Sequence, residues 1–171
     1  FAIHLFGVRQ SQFIQSKLGA SDHSRHSLHL LVNEIRRAKQ VKVGFGTQNS
    51  FTEIADGQLQ RGSALQIYPT TNDVDFIRYY LDAGACELRR VENGAADYQV
   101  VAQYLTNTMI LQAEDYTGTN VLTVGTEDVN YNYTIATKLE FFQYQYPVTQ
   151  VGPDKYYNYY KMQFKATRRS P

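Results

Sequence analysis

The residue types that most often carry catalysis or bind metals are unevenly placed along this chain of 171 residues. All four histidines, His4, His23, His26 and His29, lie in the N-terminal region, so no histidine-based triad can be built from the rest of the chain. His23, His26 and His29 recur every third residue, and on a helix only neighbouring pairs of them could share one ion. This spacing favours polar histidines on a wet helix face over a zinc or nickel site.

Two acidic loops offer oxygen atoms that calcium could use. Neither loop has the spacing of an EF-hand, and Asn and Asp are also common in turns for backbone reasons. We interpret both loops as turns, with calcium binding left open. A catalytic carboxylate pair at Glu114 and Asp115 is disfavoured because adjacent residues on a strand point to opposite faces. The loop residues concerned are Asn72, Asp73 and Asp75 in the first loop, and Glu114, Asp115 and Asn120 in the second.

The remaining chemistry is sparse. Cys86 is the single cysteine, which excludes an internal disulfide and any multi-thiolate metal site. The chain has no glycine-rich phosphate loop, no nucleophilic serine elbow and no paired cysteine motif. The sequence therefore predicts a protein that is not an enzyme, with no cofactor, no assigned metal ligands and no small-molecule substrate.

Charge and composition further restrict the class of protein to which this chain can belong. Lys and Arg number 17 against 16 acidic residues, so the formal net charge of +1 gives no field that would attract nucleic acid. Fourteen tyrosines and no tryptophan favour strands with one buried and one wet face. The length and the 43% hydrophobic content fit one domain with its own core.

An amphipathic helix is predicted over residues 24–41. Its apolar positions recur three and four residues apart, and basic residues cluster at its end. We expect Leu28, Leu31 and Ile35 to pack this helix on a sheet, and the preceding residues to form a less regular helical arm. The predicted division is therefore a helical part at residues 1–45 and a β part at residues 46–171, within one domain.

Two-residue alternation dominates the β part. An antiparallel meander is predicted from residues 63–68, 75–81 and 86–90. In this meander Ile77, Tyr79, Leu81 and Leu88 are expected to be buried, and the arginines to be exposed to solvent. Residues 97–107, DYQVVAQYLTN, break the alternation and predict a short helix. Alternation around residues 133–141 and 156–166 predicts a long terminal hairpin. The expected fold class is α+β, with an N-terminal amphipathic helix packed on antiparallel β-sheet.

This order of elements resembles the type IV pilin-like proteins, and among them the minor pseudopilins of type II secretion, particularly the J type. The likeness rests on EIRRAKQV at the helix end, on the hairpin IRYYLDAGACELRRV, and on VVAQYL before a strand. The family also has a basic leader, a cleavage site, a glutamate near the mature N-terminus and a continuous apolar helix, and these residues contain none of them.

The resemblance implies a pilin-like architecture and a periplasmic protein anchored to the bacterial inner membrane by a helix that precedes Phe1. It also implies assembly with other (pseudo)pilin subunits at the tip of a short pilus-like fibre. In such an assembly we expect Phe6, Phe13 and Ile14 to contact partner subunits. The first ten residues are too short to cross a bilayer, which needs about 20.

A different class of function stays open beside this one. An extracytoplasmic β-sheet module could bind a small apolar or glycan ligand in a cleft lined by Tyr144, Tyr156 and Tyr160. Which secretion or pilus machine is served, and which cargo is secreted, does not follow from the sequence.

Overall fold

The computed structural model describes residues 25–26, 28–93, 95–125, 134–143 and 158–169. Within these ranges no helix combines the length and the apolar character needed to cross a bilayer. The three residues expected to contact partner subunits, Phe6, Phe13 and Ile14, lie outside the described residues.

The fold class predicted from the sequence is wrong. Almost half of the structure is strand, the strands form two antiparallel sheets, and the helix has only ten residues. The chain is therefore a mostly β protein with one short helix, rather than the predicted α+β protein of pilin-like architecture. Helical spacing persists over a short segment only, whereas two-residue alternation rich in tyrosine and valine continues through most of the described chain.

Within the described residues, one helix precedes ten strands. Helix α1 covers residues 28–37. The strands are β1 (Gln40–Gly46), β2 (Phe51–Glu53), β3 (Arg61–Gly62), β4 (Ala64–Tyr68), β5 (Ile77–Asp82), β6 (Glu87–Glu92), β7 (Gln99–Ala102), β8 (Leu111–Glu114), β9 (Thr134–Gln143) and β10 (Asn158–Thr167).

Helix α1 ends before the point that the sequence pattern predicts. Residues 40–46 form β1, so the expected boundary at residue 45 falls inside a strand. Val41 and Val43 are β-branched, alternate with Lys42 and are both buried, which suits a strand with one dry face. The Lys39 N–H donates to the Tyr68 carbonyl at 2.8 Å, so the chain passes from the helix directly into the sheet.

The larger sheet has six strands in the order β2-β1-β4-β5-β6-β7, and each neighbouring pair is antiparallel. Strands β4, β5 and β6 confirm the predicted meander. The helix predicted over residues 97–107 is wrong, because residues 99–102 form the edge strand β7. The β6–β7 register shifts between Leu88 and Arg89, which leaves Val101 without a strand partner. This extra residue breaks the two-residue alternation and gives a spacing that resembles a helix.

The smaller sheet has four strands in the order β10-β9-β8-β3. Strands β9 and β10 pair from Thr134 opposite Thr167 to Gln143 opposite Asn158, which confirms the predicted terminal hairpin. Side chains from both sheets and from α1 form one core, whose largest fully buried members include Tyr79 and Phe141.

The two sheets are joined where β3 leads into β4, with Ser63 alone between them. At this corner Gly62 lies directly against β1. A Cβ atom on Gly62 would approach the Gly44 carbonyl oxygen to 1.9 Å, which no side chain can do. Glycine is therefore required by the close approach of two backbones.

Candidate functional site

The residues expected to pack the helix lie in the core. Leu28, Leu31 and Ile35 are 5%, 0% and 0% exposed, and they belong to the same buried cluster as Leu65 and Tyr79 of the larger sheet. Their spacing of three and four residues places them on one face of α1. This face fixes how the helix is seated, and it brings a charged residue on its flank against the sheet.

That residue is Glu34, which forms what we call the helix clamp, the group Glu34, Tyr79, Arg90 and Glu92. Tyr79 donates its hydroxyl hydrogen to Glu34 Oε2 at 2.6 Å, and Arg90 NH2 donates to Glu34 Oε1 at 2.7 Å. A further bond joins Arg90 Nε to Glu34 Oε1 at 3.1 Å, and Arg90 NH2 also bonds Glu92 Oε1 at 2.7 Å. The clamp therefore ties α1 to both β5 and β6 through charge-assisted hydrogen bonds.

The local sequence explains why these groups meet. Tyr79 and Arg90 are paired directly across β5 and β6, so their side chains leave the sheet on the same face. Glu34 stands between Leu31 and Ile35 on the helix, at the edge of the buried stripe. Spacing alone did not single out Glu34 or Arg90, because each can be interpreted as an ordinary surface charge. Two observations together could have identified these residues: the hairpin register sets Arg90 opposite Tyr79, and the helical spacing sets Glu34 beside the apolar face of α1.

The clamp is largely withdrawn from water, and this shifts its protonation equilibria. The side chains of Arg90 and Glu34 are 9% and 13% exposed. Burial acts to lower the pKa of Arg90, but the hydrogen bonds to Glu34 and Glu92 outweigh it and raise that pKa above its ordinary value. Burial, followed by the nearby Glu34 carboxylate, raises the pKa of Tyr79 well above its ordinary value. Arg90 therefore stays charged and Tyr79 stays neutral at any physiological pH.

The end of the helix is fastened to the smaller sheet as well. The Arg169 N–H donates to the Arg36 carbonyl at 3.1 Å, and the Arg168 guanidinium donates to the Lys39 carbonyl. These bonds satisfy backbone carbonyls at and just after the last helical turn, where a helix has no acceptor partners of its own. Helix α1 is thus held to both sheets of the protein.

The expectation that the hairpin arginines are wet is wrong, since Arg78 and Arg90 are only 5% and 8% exposed. Arg78 lies on the other face of β5, between the rings of Phe51 and Phe76 at 5.7 and 4.7 Å from their centroids. Its acceptors are neutral, namely Gln66 Oε1 at 2.9 Å and the carbonyls of Thr47 and Gln48 at 3.0 Å each. Burial lowers the pKa of Arg78.

Glu114 and Asp115, the two carboxylates considered for catalysis, are engaged in structural bonds. Glu114 is 4% exposed and accepts hydrogen bonds from Lys165 Nζ and Gln112 Nε2, both at 2.6 Å. In the other acidic loop, Asn72 Oδ1 accepts from the Val74 N–H at 3.2 Å, as in an ordinary turn. Among the described residues, no group of three or more His, Cys, Asp or Glu residues could hold a metal ion.

Asp115 closes its own loop. Its carboxylate accepts from the Thr117 hydroxyl at 2.6 Å, from the Thr119 N–H at 3.1 Å and from Asn120 Nδ2 at 2.9 Å. The bond from Thr117 contributes most to holding the pKa of Asp115 well below its ordinary value. Asn120 presents its donor side to Asp115, so these two residues bind each other.

The other candidate residues do not converge. Cys86 is exposed at the β5–β6 turn, His29 is exposed on α1, and His26 is exposed before it. Tyr144 and Tyr156 lie outside the described residues, so the tyrosine-lined cleft stays a prediction. A groove of about 480 Å³ runs along the smaller sheet. Its polar lining includes Gln112, Glu114, Lys138, Gln163 and Lys165.

Comparison of the chain with protein-family models, with curated proteins and with solved structures finds no match.

Proposed function

We propose that this chain is part of a structural, non-enzymatic subunit of a type II secretion or type IV pilus-like apparatus, of the minor pseudopilin kind. In this proposal the full-length protein is anchored to the inner membrane by an apolar helix, and the part described here lies in the periplasm. It assembles with other (pseudo)pilin subunits at the tip of a short fibre. The support is the resemblance carried by EIRRAKQV, IRYYLDAGACELRRV and VVAQYL, together with the helix clamp.

The helix clamp is the observation that carries the proposal. A subunit that assembles through an N-terminal helix must transmit force between that helix and its globular part without the two separating. Here Glu34 is bonded to two adjacent strands of the larger sheet, and Arg36 is bonded to the end of the smaller sheet. Three apolar helix side chains are also buried in the core. These contacts fasten the helix to the β part.

The described groups whose pKa values are strongly shifted all take part in structural contacts, and this supports a role without catalysis. The described groups with strongly shifted pKa values are Tyr79, Arg90 and Asp115, and each is bonded to neighbours in a structural contact. None of the three is paired with a nucleophile or with a general base in a cleft.

The proposal is tested in the source bacterium by site-specific photo-crosslinking of the full-length protein. A photoreactive residue is placed at Phe13, and at Phe6 and Ile14 in parallel, with Tyr116 as the matched control. Tyr116 is 85% exposed on a loop of the β part, so a photoreactive group there is free to react. We expect membrane-associated crosslinks to other pilin-like subunits from the first three positions and not from Tyr116.

Deletion of the gene provides the functional readout. We expect loss of secreted proteins or of surface fibres, restored by the wild-type gene. The proposal fails if the product is not membrane-associated, if its crosslinks contain no pilin-like subunit, and if deletion leaves secretion and fibres unchanged.

The groove along the smaller sheet favours a second candidate, a module that binds a small glycan-like ligand. Its volume of about 480 Å³ lies within the usual range for ligand sites, and its amide and ammonium groups could bond hydroxyls. A panel of neutral oligosaccharides, followed by NMR shifts of Gln112 and Gln163, tests it. Absence of any shift that saturates would remove this candidate.

A further inference from the structure

A small pocket lies between the start of β1 and the segment that leads into β3. Its volume is about 130 Å³. Strand β2 pairs with β1 only over residues 44–46, and the pocket is lined by residues 40, 42 and 43 of the same strand. Residues 53, 54, 60 and 124 complete the lining. An engineered cavity of about 150 Å³ holds benzene, so this pocket can hold a small molecule or the end of a side chain.

Gln60 brings a buried and unpaired carboxamide to this pocket. The residue is 6% exposed, and both of its backbone groups are bonded. Its N–H donates to the Leu122 carbonyl at 2.8 Å, and its carbonyl accepts from the Ala113 N–H at 2.9 Å. Its side-chain amide bonds none of the described residues. Buried polar groups almost always have a hydrogen-bond partner, so we expect this amide to bond to something that enters the pocket.

The bonding of Gln66, a buried glutamine with a structural role, is different. Gln66 is 7% exposed. Its Nε2 donates to the Tyr68 hydroxyl at 2.7 Å, and its Oε1 accepts from Arg78 Nε at 2.9 Å. Both ends of that amide are therefore used within the protein. Gln60 is buried to the same extent, yet no structural bond to a described residue accounts for the burial of its amide.

The remaining polar groups of the pocket carry no net charge. Lys42 Nζ donates to Glu53 Oε1 at 2.6 Å, so these two opposite charges are paired. Among the described residues, none donates to Glu53 Oε2, and none bonds the side chain of the half-buried Gln40. The pocket therefore offers uncommitted donors on two carboxamides, and uncommitted acceptors on the same two groups and on Glu53.

These groups favour a neutral amide as the ligand. A carboxylate would lie against Glu53 and an ammonium group would lie against Lys42, so either charge is opposed. A hydroxyl donates and accepts through one atom, whereas a carboxamide carries its donors and its acceptor on two atoms side by side. A primary amide can therefore exchange two hydrogen bonds with Gln60 and keep its second N–H for Glu53. The half-buried side chains of Ile54 and Val124 provide apolar contact for a short alkyl group.

We propose that this pocket, lined by Gln40, Lys42, Glu53 and Gln60, binds small primary amides through the carboxamide of Gln60. The amide can be a free small molecule or the end of an Asn or Gln side chain of a peptide, since both present the same group. This inference does not depend on the proposed function, and either can fail without the other.

Binding is measured by titrating the chain with propionamide and following the side-chain amide signals of glutamine by NMR. Propionate and butanone are the matched ligands, because the first carries a charge and the second has a carbonyl but no N–H. We expect the Gln60 signals to saturate with propionamide at a dissociation constant on the order of 1 to 10 mM, and both matched ligands to bind at least about tenfold more weakly. The signals of Gln163, which is exposed on β10, should not saturate.

Gln60→Met is the test variant, with Gln163→Met as its matched control. Met keeps the length of the side chain and removes the amide, so propionamide should bind at least about tenfold more weakly to Gln60→Met alone. Because the Gln60 amide bonds none of the described residues, the urea midpoint of this variant should stay within about 0.3 M of the wild-type value. Val124→Phe fills the pocket and leaves Gln60 in place, and it should also abolish binding. The folding of each variant is checked by circular dichroism.

A blocked tripeptide, Gly-Gln-Gly, distinguishes the two sources of the amide. It is compared with the same peptide carrying methionine in place of glutamine. Binding of the glutamine peptide at Gln60 that is at least as tight as that of propionamide assigns the pocket to a peptide side chain. Much weaker binding of this peptide than of propionamide assigns the pocket to a free small amide.

Three outcomes would overturn the proposal. The first is a set of Gln60 signals that never saturates with propionamide, which would leave the pocket to solvent. The second is equal binding of propionamide and butanone, or binding that Gln60→Met retains, which would make the contact independent of the carboxamide. The third is a marked fall in the urea midpoint of Gln60→Met, which would give this amide a structural role.

Discussion

Replacing Glu34 with Gln tests whether the helix clamp holds the helix to the sheets. The substitution keeps the size of the side chain and one hydrogen-bond acceptor, but removes the negative charge. Arg90 would then stay buried, with a side chain only 9% exposed, and would keep one carboxylate partner, Glu92, whose side chain is 61% exposed.

The expected cost follows from this burial. Breaking a buried ion pair by removing one partner costs about 3 to 5 kcal/mol, because the remaining charge is left in a poorly hydrated place. The amide of Gln can still accept one bond from Arg90, and Glu92 is retained, so we expect the free energy of unfolding to fall by about 3 kcal/mol, the lower end of that range. Tyr79→Phe removes one hydrogen bond to the carboxylate and should cost about 1.5 kcal/mol.

Glu53→Gln is the matched control. Glu53 bonds Lys42 at 2.6 Å, a distance like those in the clamp, but the two side chains are 61% and 32% exposed. An exposed pair contributes about 0.2 to 1 kcal/mol, so this control separates burial from bond length. Urea unfolding followed by circular dichroism and tyrosine fluorescence gives both values, with the slope of the transition compared between variants.

The reasoning is refuted if Glu34→Gln and Glu53→Gln destabilise the protein equally, or if Glu34→Gln costs less than about 1 kcal/mol. Replacing Glu34 and Arg90 together by leucine should recover much of the loss, since well-packed apolar residues often substitute for a buried ion pair. A double variant as unstable as the single variants combined would contradict the electrostatic explanation.

Three other changes have definite outcomes. Arg78→Lys should lower the free energy of unfolding by about 2 kcal/mol, because the ammonium cannot reach the three acceptors and stack between two rings at once; a change below about 0.5 kcal/mol in urea unfolding would argue against this. Gly62→Ala should prevent stable folding because its Cβ would lie 1.9 Å from the Gly44 carbonyl oxygen. Gly57→Ala, at a φ of +78° with no atom within 4 Å, should cost about 1 kcal/mol. Equal melting temperatures of these two variants would contradict the close approach at Gly62. Asp115 has a folded pKa below its unfolded value, so its contribution to stability is present above about pH 4 and is lost as the pH falls through the folded pKa. The difference in urea midpoint between wild type and Asp115→Asn should therefore shrink on acidification below about pH 4. A constant difference would count against the loop bonds.

Much of the strand arrangement could be predicted from local pattern. Ile77, Tyr79 and Leu81 alternate with polar residues, and Tyr79 and Leu88 are fully buried in the resulting hairpin. The pattern did not predict how many residues the helix would keep. Val41 and Val43 fit either a helix or a strand in isolation, and pairing with Leu65 and Ile67 of β4 decides in favour of the strand.

The candidate site was harder to predict because its charges look like surface residues. Arg78 lies between Ile77 and Tyr79, which is the usual pattern of a half-exposed strand, and Arg90 directly follows another arginine, Arg89. Their burial depends on distant groups: α1 covers Arg90 with Glu34, and the loop at residues 47–48 covers Arg78. Such contacts are between residues 30 or more positions apart, and no local spacing encodes them.

The corner at Ser63 has a consequence for how the protein comes apart. One continuous run of chain supplies the last strand of the smaller sheet and a central strand of the larger one, with a single residue at the bend. We therefore expect the two layers to loosen together. Heating or pulling should reveal a molecule that yields in one step, with no half-opened form in between.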